Sequence, residues 1–490
     1  MSQFFKRFFF AVLCPMLLAS YLFVALTGCD EDDSPTTVTK TDTVTVTDTL
    51  FEDGMKILRD SDIQANEQLT LSSDTTYLLK GFVFVEDGAV LTIEAGTVIK
   101  GAPGGGLNAS ALIIAKGGKI IAEGTATAPI IMTAQNDDLT AIDDLSGSAR
   151  GMWGGLIVLG KSTTNRKDGF EQIEGIDPND SRGQYGGTDT ADSSGVIKYV
   201  SIRYGGTNIG EGNEINGLTM GGVGSKTVIE YVEVYNNADD GFEFFGGTVN
   251  TKHLAAIGCA DDSYDWDEGF RGKGQFWVVV QSDDAGDRGA ECDGSASDNF
   301  GNDLYSMPTI YNATFIGSGA SSNNSGNMIF KLRQETAAKV YNSIFTDFFG
   351  DIKISSGSLS LVGVINFDDE DGVVGKKVSD RVLSGELEMT NNLFYSFGYG
   401  VGSADSLVKF SSVDSAAVKD SIVSIVSTNN TFGQDAGVTR DNLLPTAGGV
   451  ALTASRKAIP AGDAFFEPAD YIGAFNTTNW LSGWSFFSQL

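Results

Sequence analysis

Nine acidic residues recur at a 22-residue interval: Asp239, Asp261 and Asp283; Asp240, Asp262 and Asp284; Glu243, Asp265 and Asp287. A spacing this regular reads as three columns on neighbouring turns of a repeat. Carboxylates about 5 Å apart repel by roughly 0.8 kcal/mol in water and roughly 3 kcal/mol at an effective dielectric of 20. Such columns require a neutralising partner. Calcium is the cation expected, being hard, oxygen-seeking and tolerant of irregular loop geometry. The alternatives are solvation of the acids as turn residues, or ion pairing with Arg271, Lys273 and Arg288 from the same segments. Trp153, Tyr185, Phe242, Tyr264 and Trp266 lie near the acids or the longest loops and are candidates for stacking on sugar rings. Packing of loops onto the body is the competing role for them. His253, the sole histidine, falls one residue before an inward strand position and reads as a packed or surface residue rather than a catalyst.

The elements that must carry these residues follow from the same periodicity. Val232, Leu254 and Phe276 fall in one column of the 22-residue register and Val234, Ala256 and Val278 in the next, so like residues would stack on like. Earlier in the chain, Leu91-Thr92-Ile93 is followed 21 residues later by Leu112-Ile113-Ile114, and Gly96-Thr97 by Gly117-Gly118. Leu112/Ile114, Ile120/Ala122 and Ile130/Met132 are alternating pairs separated by turn residues, the pattern of three short strands around one coil. Asn-x-x-Phe recurs at Asn312/Phe315, Asn342/Phe345, Asn391/Phe394 and Asn429/Phe432. These asparagines read as structural, their amides pairing backbone groups of their own and adjacent coils. The fold class expected is all-β, a right-handed parallel β-helix solenoid spanning 67–460. Insertions at 135–151 and 163–195, rich in Gly, Asp, Ser and Asn, are expected to gather on one face as a ligand wall. The segment 461–490, with Trp480, Trp484, Phe486 and Phe487, is expected to plug the last coil, and 66–79 to cover the first.

The strings Trp153-Gly154-Gly155-Leu156-Ile157, Ala238-Asp239-Asp240-Gly241-Phe242-Glu243-Phe244-Phe245-Gly246-Gly247 and Trp266-Asp267-Glu268-Gly269-Phe270-Arg271-Gly272 resemble a group of uncharacterised bacterial surface lipoproteins. With the repeat, they make the chain similar to the parallel β-helix (pectin lyase-like) superfamily from about Leu69 onward. The resemblance implies the fold. It does not imply an activity, because the superfamily holds lyases, hydrolases, adhesins and tailspikes. Its polysaccharide lyases bridge an acidic sugar to Asp and Glu through calcium, with an Arg or Lys removing the proton, so the resemblance implies Arg271, Lys273 and Arg288 as candidate catalytic bases if the chain is an enzyme. This chain departs from the pectate lyase arginine signature, and it matches the glycosidase branch by an Asp-Asp pair alone.

At the N-terminus, Lys6 and Arg7 precede an apolar run from Phe8 to Leu26, the order of a secretory signal. Leu26-Thr27-Gly28-Cys29 resembles the lipobox of bacterial lipoproteins, which implies cleavage after residue 28 and acylation of Cys29. Asp30, Glu31, Asp32 and Asp33 resemble the acidic export tag of surface lipoproteins in some Gram-negative lineages, and so imply the outer membrane and its outward face. Residues 29–66 then read as an acidic, Thr-rich tether without a core of its own. The net charge of −31, deepened by two when Lys6 and Arg7 leave, excludes nucleic acid as a partner and favours a divalent cation. Cys14 leaves with the signal, so Cys259 and Cys292 remain as a disulfide or as two buried thiols. The function expected is a lipid-anchored cell-surface β-helix protein, a non-enzymatic glycan-binding or adhesion module with a calcium-stabilised acidic face. Its partners would be the membrane, through the lipid, and extracellular polysaccharide. The alternatives are a calcium-dependent polysaccharide lyase or hydrolase, and a structural surface component.

Overall fold

A computed structural model describes residues 50–210, 213–322, 327–350, 352–355, 358–361, 363–370, 373–398 and 404–490; the expected secretory signal, Cys29 and the Thr-rich stretch lie outside them. One coil shows how the rest is built. Ala111–Ile114 lies in a ten-stranded sheet, and Lys119–Glu123 and Ile130–Ala134 lie in a twenty-stranded sheet. Each strand then pairs in parallel with its counterpart one coil on: Leu112 with Leu156, Ile120 with Gly195 and Ile130 with Val200. The three-strand coil read from residues 112–132 is therefore the unit of a parallel β-helix.

Strand alternation sends every second side chain inward. In the ten-stranded sheet, Leu156, Leu218, Phe242, Tyr264 and Ala290 succeed one another in register and are all buried. The Asn-x-x-Phe phenylalanines form a second column, with Phe315, Phe345 and Phe394 buried in register and Phe432 half-buried at its end.

The gapless 22-residue register breaks at the third coil. Val232 pairs with Leu254 as expected, but Ala255 rather than Ala256 faces Val278, so Leu254 meets Trp277 and Phe276 meets His253. The turn between Tyr264–Asp267 and Lys273–Gln275 is one residue longer than that between Phe242–Phe245 and Asn250–Ile257. That longer turn drives Phe270 into the core, where its ring lies 4.4 Å from Phe244.

Both ends of the body also differ from expectation. Met55–Leu58 pairs in parallel with Thr76–Leu79, so the solenoid begins within the stretch assigned to the tether. At the other end, the helix Ala416–Asn429 buries Ile422 and Val426 against the last coils. The aromatic C-terminus does not plug that coil. It runs back along the outside of the large sheet as a strap. Its track is a column of corners in the left-handed region, with φ running from 49° at Tyr199 and 56° at Tyr231 through 55° at His253 and 60° at Phe276 to 57°, 54° and 59° at Asn312, Asn342 and Asn391. Each such residue costs roughly 1–2 kcal/mol, and contacts along the column offset it. The rings of Tyr199, Tyr231, His253 and Phe276 stack at 4.4, 4.1 and 4.8 Å, with Trp480 and Trp484 set edge-on against them. Asn312 and Asn391 donate to the carbonyls of Tyr471 and Ser455, while Asn342 donates to Lys457 O and accepts from Lys457 N. These asparagines are structural, but they hold the strap rather than their own coil. The strap ends where the buried carboxylate of Glu233 accepts the amides of Phe486 and Phe487.

The two insertions lie on different flanks instead of one wall. Residues 163–195 cover the ten-stranded sheet, with Ile173, Ile176 and Tyr185 packed on Ile113, Ile157 and Leu159. Residues 135–151 lie at a corner of the coils, where Asn236 donates to Gly147 O and Gly151 donates to Gly205 O.

Candidate metal centre

The alternation that buries Phe242, Phe244, Tyr264 and Trp266 turns Glu243 and Asp265 to the outer face of the ten-stranded sheet. Glu243, Asp265 and Glu291 stand in one column, each in register with the next. In the preceding turn, Asp240 Oδ1 accepts the amide of Asp262, and Asp262 Oδ1 accepts the amide of Arg288. Carboxylate oxygens of Asp240, Glu243 and Asp265 lie within 4.8 Å of one another, as do those of Asp262, Asp265 and Glu291. Asp265 belongs to both groups. Asp240 is 7 % exposed, Glu243 8 % and Asp262 2 %, so these charges sit largely out of water.

Burial is the main cause that pushes Asp240, Glu243, Asp262 and Asp265 well above the usual carboxylate range. Asp262 adds to the shift of Asp240, Glu174 and then Asp265 to that of Glu243, and Asp240 and Glu291 to that of Asp265.

The two groups differ in what neutralises them. Arg288 reaches Asp262 at 3.0 Å, Asp287 at 2.9 Å and Glu291 at 3.1 Å, and Lys331 and Arg333 also pair with Glu291. The second group thus has built-in cations. Among the described residues, Asp240, Glu243 and Asp265 form no ion pair. Asp265 Oδ1 is buried without a hydrogen bond, and so is Oδ1 of Asn216, whose amide nitrogen donates to Glu243. Asn216 is 1 % exposed. Three carboxylates, with one of their oxygens unpartnered, are donors of the kind a hard divalent cation takes. Asp240, Glu243 and Asp265 are the residues that would hold one, and the ion would supply positive charge to a cluster that lacks it.

Several candidate residues lie elsewhere. The 22-residue interval lengthens between Asp265 and its partner, so Glu291 takes the column position assigned to Asp287. Asp287 instead groups with Asp261 and Asp262. Asp239 groups with Asp240 and Asp261 at the outer edge. Asp283 and Asp284 leave the columns: Arg440 binds Asp283 at 2.6 Å, and Arg150 binds Asp284 at 2.9 Å. The hydrogen bond from Arg150 holds Asp284 down at about 2.

The three candidate bases do not converge. Arg271 donates to the carbonyls of Tyr305 and Asp303, and Lys273 pairs with Asp463 of the strap at 2.6 Å. Only Arg288 reaches the acids. Burial pulls its pKa down, yet Asp262, Glu291 and Asp287 outweigh that and hold the guanidinium above its ordinary value, engaged with the acids. The five candidate sugar-stacking aromatics are all interior. Trp153, Phe242, Tyr264 and Trp266 are 0 % exposed and Tyr185 is 1 % exposed. Their faces are occupied: Phe242 and Tyr264 lie 5.3 Å apart, and Tyr264 lies 4.4 Å from Trp277. The Trp153 indole donates to Arg203 O, and the Tyr185 hydroxyl donates to Glu268. Glu268, also bonded to Thr164 and Arg166, anchors the 163–195 insertion over the sheet. His253 is packed in the corner column, and burial lowers it to about 3. Cys259 and Cys292 are two buried free thiols, the first pushed up by burial to about 12.

Glu291 and Asn216 escaped sequence reading for different reasons. Glu291 sits at an outward position of the strand Arg288–Asp293, so following strand alternation rather than a fixed interval would have found it. Asn216 comes from a segment outside the acidic repeat, and it carries no local signal.

Comparison with curated proteins and with solved structures finds no match to the chain. A family model described as a pectate-lyase like beta helix domain matches residues 63–424, most of the chain, and the chain therefore belongs to that family.

Proposed function

We propose that this chain is a cell-surface β-helix protein, lipid-anchored at Cys29 in the outer membrane, that binds extracellular glycan without cleaving it. Its acidic face holds a calcium ion that fixes the coils and the covering insertion in place. The observation that carries the cation is the meeting of Asp240, Glu243 and Asp265 with no positive charge of their own. Support for binding without turnover comes from the candidate bases, each tied up in a separate ion pair or backbone contact. The surface address rests on the lipobox-like sequence ahead of Cys29 and the acids after it.

The test incubates the full chain with a panel of acidic and neutral polysaccharides, in calcium or in EDTA. Retention of polysaccharide is measured alongside new reducing ends and unsaturated products. Retention without products is expected. Calcium-dependent products that vanish in Asp262→Asn would replace this reading with a lyase or hydrolase. Membrane fractionation of Cys29→Ala, expected to lose the membrane pool, checks the anchor.

A further inference from the structure

The outer face of the ten-stranded sheet is apolar over its first coils, where Phe82, Phe84, Ala111, Ile113, Ile157 and Leu159 form one patch. The 163–195 insertion covers most of it, but Phe82 stays partly exposed. There a cavity of about 380 Å³ opens, lined by Phe82, by Ile176, Asp177, Pro178 and Asp180 of the insertion, by Gly106, and by Ile209 of the strand Asn208–Gly210. Its volume falls within the range of small-ligand sites. A Cβ on Gly106 would meet nothing within 4 Å, so that wall stands clear of the rest of the chain.

Two features of the lining narrow the class of ligand. The first is an apolar floor. Among the described residues no aromatic ring and no cation rests on Phe82; Arg182 stacks instead on the neighbouring Phe84, 3.9 Å from its centroid. Phe82, Ile176, Pro178 and Ile209 together offer the C–H face of a sugar ring its contact. The second is a negative rim. Asp180 shares Arg182 with Asp60 and Glu86, at 2.7, 2.9 and 3.1 Å, so three carboxylates divide one guanidinium. The hydrogen bonds from Arg182 hold Asp180 below the usual carboxylate range and keep it ionised. Asp177 is exposed and forms no ion pair among the described residues. Its Oδ1 accepts the backbone and side-chain nitrogens of Asn179, which leaves Oδ2 for an occupant. A neutral sugar would leave this rim uncompensated and an anionic one would be repelled by it.

We infer that this cavity binds an amino sugar whose amine is free and protonated, such as a glucosamine residue of a glycan. The ring lies on Phe82 and the ammonium donates to the Asp177 carboxylate. The inference rests on the glycan-binding reading above. It names the class of sugar and places the subsite beside the 163–195 insertion, away from the acidic columns.

Saturation-transfer NMR and calorimetry with the full chain test it, with methyl glucosaminide as the probe. Methyl glucoside and methyl N-acetylglucosaminide are its uncharged counterparts, and butylammonium carries the charge without the ring. The glucosaminide should bind about tenfold more tightly than each of the three, and its affinity should fall as salt is raised. Asp177→Asn keeps the oxygen that accepts from Asn179 and removes the charge. It should weaken glucosaminide binding about tenfold and leave the melting temperature unchanged. Phe82→Leu keeps an apolar floor and removes the ring, and should weaken binding about threefold to tenfold. No preference for the glucosaminide overturns the inference, and so does binding unchanged in Asp177→Asn, which would trace the attraction to the negative charge of the whole chain. If the panel of polysaccharides is still retained in that event, glycan binding lies elsewhere and the proposed function survives. If no polysaccharide is retained by the wild type, it is the glycan-binding reading that falls.

Discussion

Asp265 is the carboxylate shared by both buried acidic groups, so Asp265→Asn separates a cation seat from a merely ion-paired surface. At 4.8 Å each pair of ionised carboxylates repels by about 3.5 kcal/mol at an effective dielectric of 20. Asp265 faces both Asp240 and Glu243, and partial protonation caps the cost at about 2–3 kcal/mol. The direction with pH follows from the raised pKa. A carboxyl raised above its unfolded value contributes stability that is fully present below the ordinary carboxylate range, and this is lost as pH rises through the raised value. Without a cation at pH 7.5, the wild type therefore carries the repulsion and Asp265→Asn does not. The new amide can also donate to Asp240 or Glu243. In EDTA the variant should melt about 3–5 °C above wild type, taking about 1–2 °C per kcal/mol for a domain of this size. At pH 5 the gap should narrow. In 1 mM calcium, with a dissociation constant of about 10 µM, the wild type gains about 2.7 kcal/mol and the variant gains nothing, so the gap closes. Scanning fluorimetry of both proteins across pH, in EDTA and in calcium, reads all of these. If Asp265→Asn melts below wild type in EDTA at pH 7.5, or gains as much from calcium, the cation seat is wrong.

Three further outcomes are expected. Glu268→Gln removes the charge bonded to Arg166, Thr164 and Tyr185, which should cost about 3–5 kcal/mol in denaturant unfolding and expose 163–195 to limited proteolysis. Glu233→Ala removes the acceptor of the Ser201 hydroxyl and of the Phe486 and Phe487 amides, and should cost about 2–4 kcal/mol. Amide exchange should then accelerate at the end of the strap while the strand Val228–Tyr235 stays protected; equal loss of protection in both would contradict a peripheral strap. Cys259 and Cys292 should resist a thiol reagent at pH 8 in the native protein and both react in denaturant, and rapid native labelling would contradict their burial.

The coil was legible because its signals are local. Leu112/Ile114, Ile120/Ala122 and Ile130/Met132 alternate with period two, and each pair is a strand of one coil. Asp240, Glu243, Asp262 and Asp265 were placed together because their two coils have equal length. The third coil was misjudged because its turns are longer, and the length of a turn is set by what fits beneath it, here Phe270 against Phe244. The stacking role given to Trp153, Tyr185, Phe242, Tyr264 and Trp266 failed for a related reason. Proximity in sequence to the acids says nothing about facing the same way, and alternation puts a strand's aromatics on the side opposite its carboxylates.

By itself the sequence determined the period, the parallel β-helix and the existence of an acidic face, since each arises from residues within one coil or the next. Tertiary structure alone decided which further acids join Asp240, Glu243, Asp262 and Asp265 and which leave them. Glu291 enters the cluster and Asp283 and Asp284 leave it through the accumulated lengths of the turns before them. It also decided that the C-terminal aromatics lie along the side of the solenoid, because their edge-on partners Tyr199, Tyr231 and His253 stand more than two hundred residues earlier in the chain.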